Sequence, residues 1–314
     1  MKTNEADLHI HSHYSDGDCS VYELVKRMKK SGLKVAVLTD HDTTDGAERF
    51  IKLCAQHGID TISGIEISST HCYFTDAKEL WKLELHILGY GYNLKSLSSG
   101  NELLYRNQVV SNHHVETMIM KYKIYDEFST SFVELTNQFN VPWPLTSKYW
   151  LIKARAINLM ETKNLDFNEA KILATREISR GGRFYARRGD YCSPREAIEL
   201  IKLHSGMAVW AHSLKYLHQL EKFFPLEANV IFEKTLKELK GFGLDGLEVF
   251  TQHHSQKDRE FLLKYCEKYN LNPNFGGSDY HGDKENEYML GIYLGKGGIS
   301  HNQFLELKKI LKKK

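Results

Sequence analysis

Paired cysteines are missing from this sequence. The five present, Cys19, Cys54, Cys72, Cys192 and Cys266, contain no C-x-x-C pair and are odd in number. That argues against a disulfide framework and for reduced thiols. No one sign of charge prevails either. Lys and Arg number 42 against 40 for Asp and Glu, so there is no global field of the kind that marks a nucleic-acid coat. Any contact with nucleic acid has to come from a local patch. No apolar run approaches the roughly 20 residues that span a bilayer, and the first residues show no basic-then-apolar leader pattern. A soluble, cytoplasmic protein with no membrane partner and no obligate protein partner is expected. Internal repeats and low-complexity stretches are absent too.

What is present is a chain of 314 residues, 41% hydrophobic and 11% aromatic, enough for a sizeable core. Short apolar runs alternate with segments of helical period. Ala6–Ile10, Lys34–Thr39, Thr61–Ile67 and Leu83–Tyr90 read as strands, with helices from about Ser20 and from about Asp45 to His57. Ser20 and Glu23 form a capping box. The alternation then breaks. From about Leu94 to Asp190 the pattern is helical, with Pro142 and Pro144 and no clear strand. It resumes with a helix opened by Ser193, Pro194 and Glu196. Gly206–Ala211, Leu244–Phe250 and Asn272–Gly276 follow as strands. A helical stretch from about His218 to Lys240, a helix over Ser255–Tyr269 capped by Ser255 and Asp258, and a last helix from Ser300 complete the pattern. Strands joined by helices imply a parallel sheet. The expectation is a discontinuous α/β unit over residues 1–95 and 190–314, with an inserted helical lid over 96–189. The Lys-rich stretch 308–314 reads as a solvated helix end.

Histidine is the unusual component, with sixteen copies. His9, His11 and Asp16 follow the first strand, and His41 follows the second. Glu66 ends the third, His86 sits on the fourth, and His212 follows Gly206–Ala211. Asp279 and His281 follow the last. In parallel α/β folds the strand ends face one shared mouth, so residues distant in sequence converge there. Residues two apart on a strand share a face, as His9 and His11 do. Singly, each of these reads as a capping, turn or core residue. Nine at equivalent positions do not. Nitrogen and oxygen donors without thiolate suit Zn²⁺, Mn²⁺ or Fe²⁺. Nine ligands are too many for one ion and enough for two or three.

These residues resemble the PHP (polymerase and histidinol phosphatase) superfamily. The matching stretches are Asp7–Ser12 (DLHIHS), Ser15-Asp16-Gly17, Leu38–Thr43 (LTDHDT), Gly64-Ile65-Glu66, His86–Tyr90 (HILGY), Ala211-His212 and Gly277–Gly282 (GSDYHG). The resemblance implies a distorted, roughly seven-stranded (β/α) barrel of TIM type with a trinuclear metal centre. It implies that His9, His11, Glu66 and Asp279 hold one ion, and that Glu66 bridges to a second held by His86 and His212. Asp16, His41 and His281 would hold the third. The motifs look most like the stand-alone branch, which removes phosphate from nucleoside 3′,5′-bisphosphates and trims RNA from its 5′ end. That branch usually shows a Gly-Arg-Pro-His run in its insert. Here the region reads Thr146–Ala156 (TSKYWLIKARA), and Gly181–Arg188 (GGRFYARR) fits better.

The implied activity is metal-dependent hydrolysis of a phosphate ester, with a hydroxide between two metals attacking phosphorus and no catalytic side chain apart from the ligands. Arg187 and Arg188 are candidate phosphate contacts. His254 is a candidate for substrate contact or leaving-group protonation, and Glu248 for orienting a ligand. His113, His114 and His253 read as surface residues. Tyr105, Arg106, Tyr122, Lys123, Trp143, Tyr149 and Trp150 offer base stacking, but core packing of a lid suits most of them better. Two alternatives remain: a phosphatase for another small monoester such as histidinol phosphate, and a non-catalytic metal-binding scaffold.

Overall fold

The computed structural model describes residues 5–74, 80–98, 100–125, 127–139, 148–282 and 299–313. Trp143, Pro142 and Pro144 lie outside them, as does Lys314. Strand β1 (Ala6–Ile10) is followed by α1 (Val21–Ser31), β2 (Val35–Leu38) and α2 (Ala47–Gln56). Next come β3 (Gly64–Phe74), β4 (Leu80–Tyr90) and four consecutive helices. These are α3 (Glu102–Ile124), α4 (Phe132–Phe139), α5 (Lys148–Lys163) and α6 (Phe167–Ile178). The remainder is α7 (Pro194–Leu203), β5 (Met207–Trp210), α8 (Ser213–Phe223), α9 (Ala228–Gly241), β6 (Gly246–Glu248), α10 (Gln256–Lys268), β7 (Asn272–Phe275) and α11 (His301–Leu311). The capping boxes of α1, α7, α10 and α11 all form. Each depends on four consecutive residues only. The long helical stretch expected from His218 to Lys240 is instead two helices, parted at residues 224–227. Pro225 lies in the gap, where it lacks an amide hydrogen and keeps the preceding residue out of helical geometry.

The strands form two sheets, and no closed barrel is found among the described residues. β1 pairs with β2 in parallel, and the other sheet runs β3-β4-β5-β6-β7. The expected all-parallel arrangement holds for β5-β6-β7 but fails for β3, β4 and β5, which pair antiparallel. β3 and β4 are neighbours in sequence with no helix between them, so pairing turns them back on each other. Isolated bridges reach across the sheet edges, from Ile10 to Tyr280 and from His41 to Glu66.

Most strands are buried on both faces, and alternate residues sort into separate cores. Val35 and Val37 of β2, Leu88 and Tyr90 of β4, and Met207 and Val209 of β5 gather around Phe275, with Phe304 and Leu307 of α11 closing one end. Ala36 and Leu38 face α1 and α2 instead, while Ile87, Ala208 and Trp210 face α7, α8 and α9. The region from α3 to α6 has apolar clusters of its own, around Met118, Tyr122, Leu151 and Phe184 and around Leu159, Ala170 and Ala174. Leu104, at the start of α3, belongs to the sheet core. No helix among the described residues is long and apolar enough to cross a membrane.

Candidate metal centre

Glu66 sits at the middle of the histidines and is fully buried. Its Oε2 lies 3.0 Å from His9 Nε2, 3.2 Å from His11 Nε2 and 3.4 Å from His41 Nδ1. Its Oε1 lies 2.9 Å from His86 Nδ1 and 3.1 Å from His212 Nε2. Asp279 Oδ1 is 3.4 Å from both His9 Nε2 and His11 Nε2. Asp16 faces His281 at 3.3 Å, with His11 at 3.8 Å and His41 at 3.9 Å. All nine expected residues therefore meet at one place. They fall into groups whose donor atoms lie close together: His9, His11, Glu66 and Asp279; His11, Asp16, His41 and His281; His41, Glu66 and His86. His212 joins through Glu66. The expected position of Glu66 at a strand end needs correction, because β3 runs on to Phe74. Glu66 is the third residue of the hairpin's first strand, and His86 reaches it from the antiparallel partner.

The backbone is shaped to make this meeting possible. Asp42, His212 and Asp279 have positive φ angles of 52°, 30° and 55°. Such strain persists only where surrounding structure over-determines it. Gly277 passes so close to β1 that a Cβ there would lie 2.3 Å from His9 Cβ.

Burial disfavours charge on every member, and for all but His41 and His212 facing groups of opposite sign outweigh it. Burial opposes ionisation of Glu66, but His41, His9 and His86 hold its carboxyl well below the usual range. Burial likewise works against protonated His86, and Glu66 and Glu84 overcome it, raising its pKa to about 10. His281 is raised to about 9, chiefly by Asp16 against the cost of burial. His41 goes the other way, to about 4, because burial dominates there. The donor set fits divalent cations on a further observation. His11 Nδ1, His11 Nε2, Asp16 Oδ1 and His41 Nδ1 are buried and have no hydrogen-bond partner. Buried polar atoms are almost always paired. Nitrogen and oxygen atoms that converge at ion-pair distances without a well-formed hydrogen bond could hold a cation, and their chemistry suits Zn²⁺, Mn²⁺ or Fe²⁺.

A second layer orients the first. Glu248 Oε1 lies 2.9 Å from His9 Nδ1, and Glu248 Oε2 accepts the His212 backbone amide at 2.7 Å. Glu84 Oε1 lies 2.9 Å from His86 Nε2, and Glu84 Oε2 accepts from Arg188 at 2.7 Å. Asp40 accepts from Ser12 and Ser15 in the loop that carries Asp16. Asp42 accepts from the Ser68 amide at 3.0 Å and from Asn107 of α3 at 2.8 Å. Of these, sequence reasoning found Glu248 but missed Glu84. The signal for Glu84 was available, since it lies two residues before His86 on one strand face. Asn107 carried no signal, being one polar residue inside a helix.

The weaker candidates divide. Arg188 lines a cavity of about 190 Å³ beside Asp16, His41, Glu84 and His86, together with Lys148. Its guanidinium lies over Tyr191, and its Nε is buried without a partner. Arg187 is exposed and faces an outer groove instead. His254 is buried with Nδ1 2.8 Å from the Val249 carbonyl, and lines none of the cavities around the cluster. His114 lines both the inner cavity and the outer groove, which corrects the surface reading. Tyr122 and Trp150 are core residues, and Tyr149 donates to Asp18 at 2.8 Å. Lys215 lines the cavity on the other side of the cluster and donates to Asp279 at 2.9 Å.

Comparison with known proteins agrees with this chemistry. Residues 7–160 match the PHP domain. The chain is 25% identical over 278 residues to a phosphoribosyl 1,2-cyclic phosphate 1,2-diphosphodiesterase of Eggerthella lenta, covering 88% of this chain and 94% of that one. It is 25% identical over 280 residues to a 5′-3′ exoribonuclease of Haemophilus influenzae, covering 89% and 90%. A 3′,5′-nucleoside bisphosphate phosphatase of Chromobacterium violaceum is 22% identical over 287 residues, covering 91% and 90%. Its likeness to the DNA polymerase III subunit alpha of Treponema pallidum, 34% identical, takes in 40% of this chain but spans only 11% of that protein's length. In three dimensions it matches a Bifidobacterium adolescentis protein described as a candidate metal-dependent phosphoesterase. The TM-score is 0.70 at 22% identity, with 96% and 95% of the two chains covered. The α/β fold, the histidine–carboxylate cluster and the full-length relatives point one way, and the chain carries a PHP domain over residues 7–160.

Proposed function

We propose that this chain is a metal-dependent phosphoesterase that hydrolyses phosphate esters of nucleotides, either a nucleoside 3′,5′-bisphosphate or the 5′ end of an RNA. The observation that carries the reading is the convergence of nine His, Asp and Glu side chains with Glu66 at their middle, several of their buried nitrogen and oxygen atoms making no well-formed hydrogen bond. His9, His11, Glu66 and Asp279 would hold one cation. Glu66 would share a second with His86 and His212, and Asp16, His41 and His281 would hold a third. Bound divalent cations supply a polarised phosphoryl oxygen and a water of lowered pKa. Mn²⁺, Zn²⁺ and Fe²⁺ all suit these donors.

The chain's own residues do the rest. Glu248 and Glu84 fix the ring orientation of His9 and His86. Arg188, held on one side by Glu84, lines the inner cavity, where its guanidinium would meet a phosphate oxygen. Lys148 lines the same cavity and Lys215 the one across the cluster, so cations flank the mouth on both sides. We read residues 96–189 as a helical lid over a discontinuous frame, and the two bridged sheets as an opened seven-stranded barrel. Five cysteines without a disulfide suit a reducing, cytoplasmic setting.

The test is phosphate release from adenosine 3′,5′-bisphosphate by Mn²⁺-reconstituted protein, with His9→Ala as control. Release that disappears in the variant supports the reading. Turnover of histidinol phosphate or a cyclic phosphodiester, but not of the bisphosphate, keeps the chemistry and replaces the substrate. Bound metal with no turnover on any of the three leaves a scaffold.

A further inference from the structure

The residues of the cluster are braced from different directions. Glu248 of β6 meets His9 and the His212 amide, Glu84 of β4 meets His86, and Lys215 of α8 meets Asp279. The group of His11, Asp16, His41 and His281 is braced otherwise. His41 has a fellow member of the cluster on each side of its ring, Glu66 at 3.4 Å from Nδ1 and Asp16 at 3.9 Å from Nε2. Among the described residues no carboxylate from outside the cluster meets that ring, so the backbone has to place it. The Asp16 carboxylate likewise faces only His11, His41 and His281 among the described residues. Helices α3 and α5 hold the backbone in question. Gln108 donates to the Asp42 carbonyl and Asn107 to the Asp42 side chain, both at 2.8 Å. Asp42 follows His41 and has a φ of 52°, a conformation that persists only with outside support. Trp150 donates at 3.2 Å to the carbonyl of Ser15, the residue before Asp16. Tyr149 and Lys153 hold the carboxylate of Asp18, whose own amide donates to the His281 carbonyl at 2.6 Å.

We propose that Asn107 and Gln108 of α3, with Tyr149, Trp150 and Lys153 of α5, are positioning residues for one cation of the centre, the one that Asp16, His41 and His281 would share. The two helices thereby set the affinity of that cation apart from the others. The inference rests on the metal-centre reading and adds a division of labour within it. A ligand that is oriented by an outer hydrogen bond keeps its aim when a distant helix shifts. A ligand placed by its backbone does not. His9 and His86 are of the first kind, through Glu248 and Glu84. His41 and Asp16 are of the second, and the main chain beside each of them is tied to α3 or α5. The same helices wall the inner cavity, through Gln108, Ser111 and His114 of α3 and Lys148 of α5, and Asp16 and His41 line it opposite them.

Calorimetric titration of the metal-free, full-length protein with Mn²⁺ tests this without any substrate. Asp16→Ala identifies the binding step that belongs to the Asp16 group, because that step disappears. Asn107→Leu/Gln108→Leu and Tyr149→Phe/Lys153→Ala should each weaken the same step about tenfold or more, and leave the remaining steps within about twofold of wild type. Glu248→Ala should do the reverse. Arg155→Ala loosens the helical region without removing a bond to the cluster's loops, and should leave every step unchanged. Circular dichroism checks that each variant is folded. Where Asn107→Leu/Gln108→Leu is not, Gln108→Leu takes its place, since it removes a single bond to the Asp42 carbonyl. An Asp16-dependent step that keeps its wild-type affinity in either double variant overturns the inference. So does a loss shared equally by all steps, or one that Arg155→Ala reproduces. A wild type that binds Mn²⁺ without an Asp16-dependent step also overturns it, and keeps a smaller metal centre. No Mn²⁺ bound at all overturns the metal-centre reading as well.

Discussion

The histidine cluster and the helices from α3 to α6 hold themselves together in opposite ways. In the cluster, buried charges face one another and strained backbone is kept in place by its neighbours. Glu66 alone meets five histidines, and three non-glycine residues around it take positive φ. In the helical region apolar packing dominates, and a few polar bolts join it to the frame. Trp150 donates to the Ser15 carbonyl at 3.2 Å, and Tyr149 and Lys153 hold Asp18. Asn107 ties Asp42, Ser68 and Cys192 together, and Gln108 donates to the Asp42 carbonyl. The bolts land on the Asp16 loop and on the segment beside His41. Strained, electrostatically frustrated structure belongs where chemistry happens, and ordinary packing belongs where a surface only has to be placed.

The sharpest way to break the comparison is Glu66→Ala. Loss of the shared carboxylate should cut turnover by about 10³-fold or more, against roughly 10–100-fold for the outer partner Glu248→Ala. Circular dichroism should show both variants folded. Rates that fall equally in the two would mean that Glu66 is no hub.

The cluster should also respond to pH where the helices do not. In metal-free protein His86 titrates near 10, raised from 6.5 by Glu66 and Glu84 against burial. Its ion pairs therefore add stability that is complete below 6.5 and lost as pH rises through about 10. A cation needs the neutral ring, so metal affinity should climb with pH over the same window, about tenfold per unit for each proton displaced. Calorimetry in buffers of different ionisation enthalpy would show the released protons. Affinity flat from pH 7 to 9 would remove His86 from the ligand set.

Arg155→Ala tests the helical region. This arginine is 2% exposed, and its fork meets both Glu177 oxygens, at 2.9 and 3.0 Å. Breaking a buried pair by removing one partner costs about 3–5 kcal/mol. Thermal unfolding should move down by roughly 5–10 °C, while metal content per folded molecule stays unchanged. Asn107→Leu leaves Asp42 and the Cys192 amide without their partner and should cost about 1–3 kcal/mol in urea unfolding. Lys153→Ala removes a partly exposed ion pair with Asp18 and should cost at most about 1 kcal/mol. If Lys153→Ala costs more than Asn107→Leu, the insert is bolted mainly at the Asp16 loop.

Much of the molecule was legible without its structure, and the legible parts share a cause. The boxes at Ser20, Ser193 and Ser255 depend on residues three apart, and β1 is bounded as its apolar run is. The nine candidate ligands were legible because a strand-end histidine or carboxylate recurring at each strand is improbable by chance. The failures share a cause too. Period and propensity do not say which way a strand runs, so the antiparallel β3-β4-β5 arrangement was missed. Periodicity also ran across Pro225, joining α8 to α9.

By itself the sequence singled out the nine His, Asp and Glu residues that the fold brings together and where most helices begin, because both are written in local order. The tertiary structure alone decided that Glu66 stands between five rings, that Glu84 links His86 to Arg188, and that Asn107 reaches from α3 to Asp42. Those contacts join residues as much as 146 positions apart, as His212 and Glu66 are. Only the pairing of strands and the packing of both their faces bring such residues within hydrogen-bonding distance.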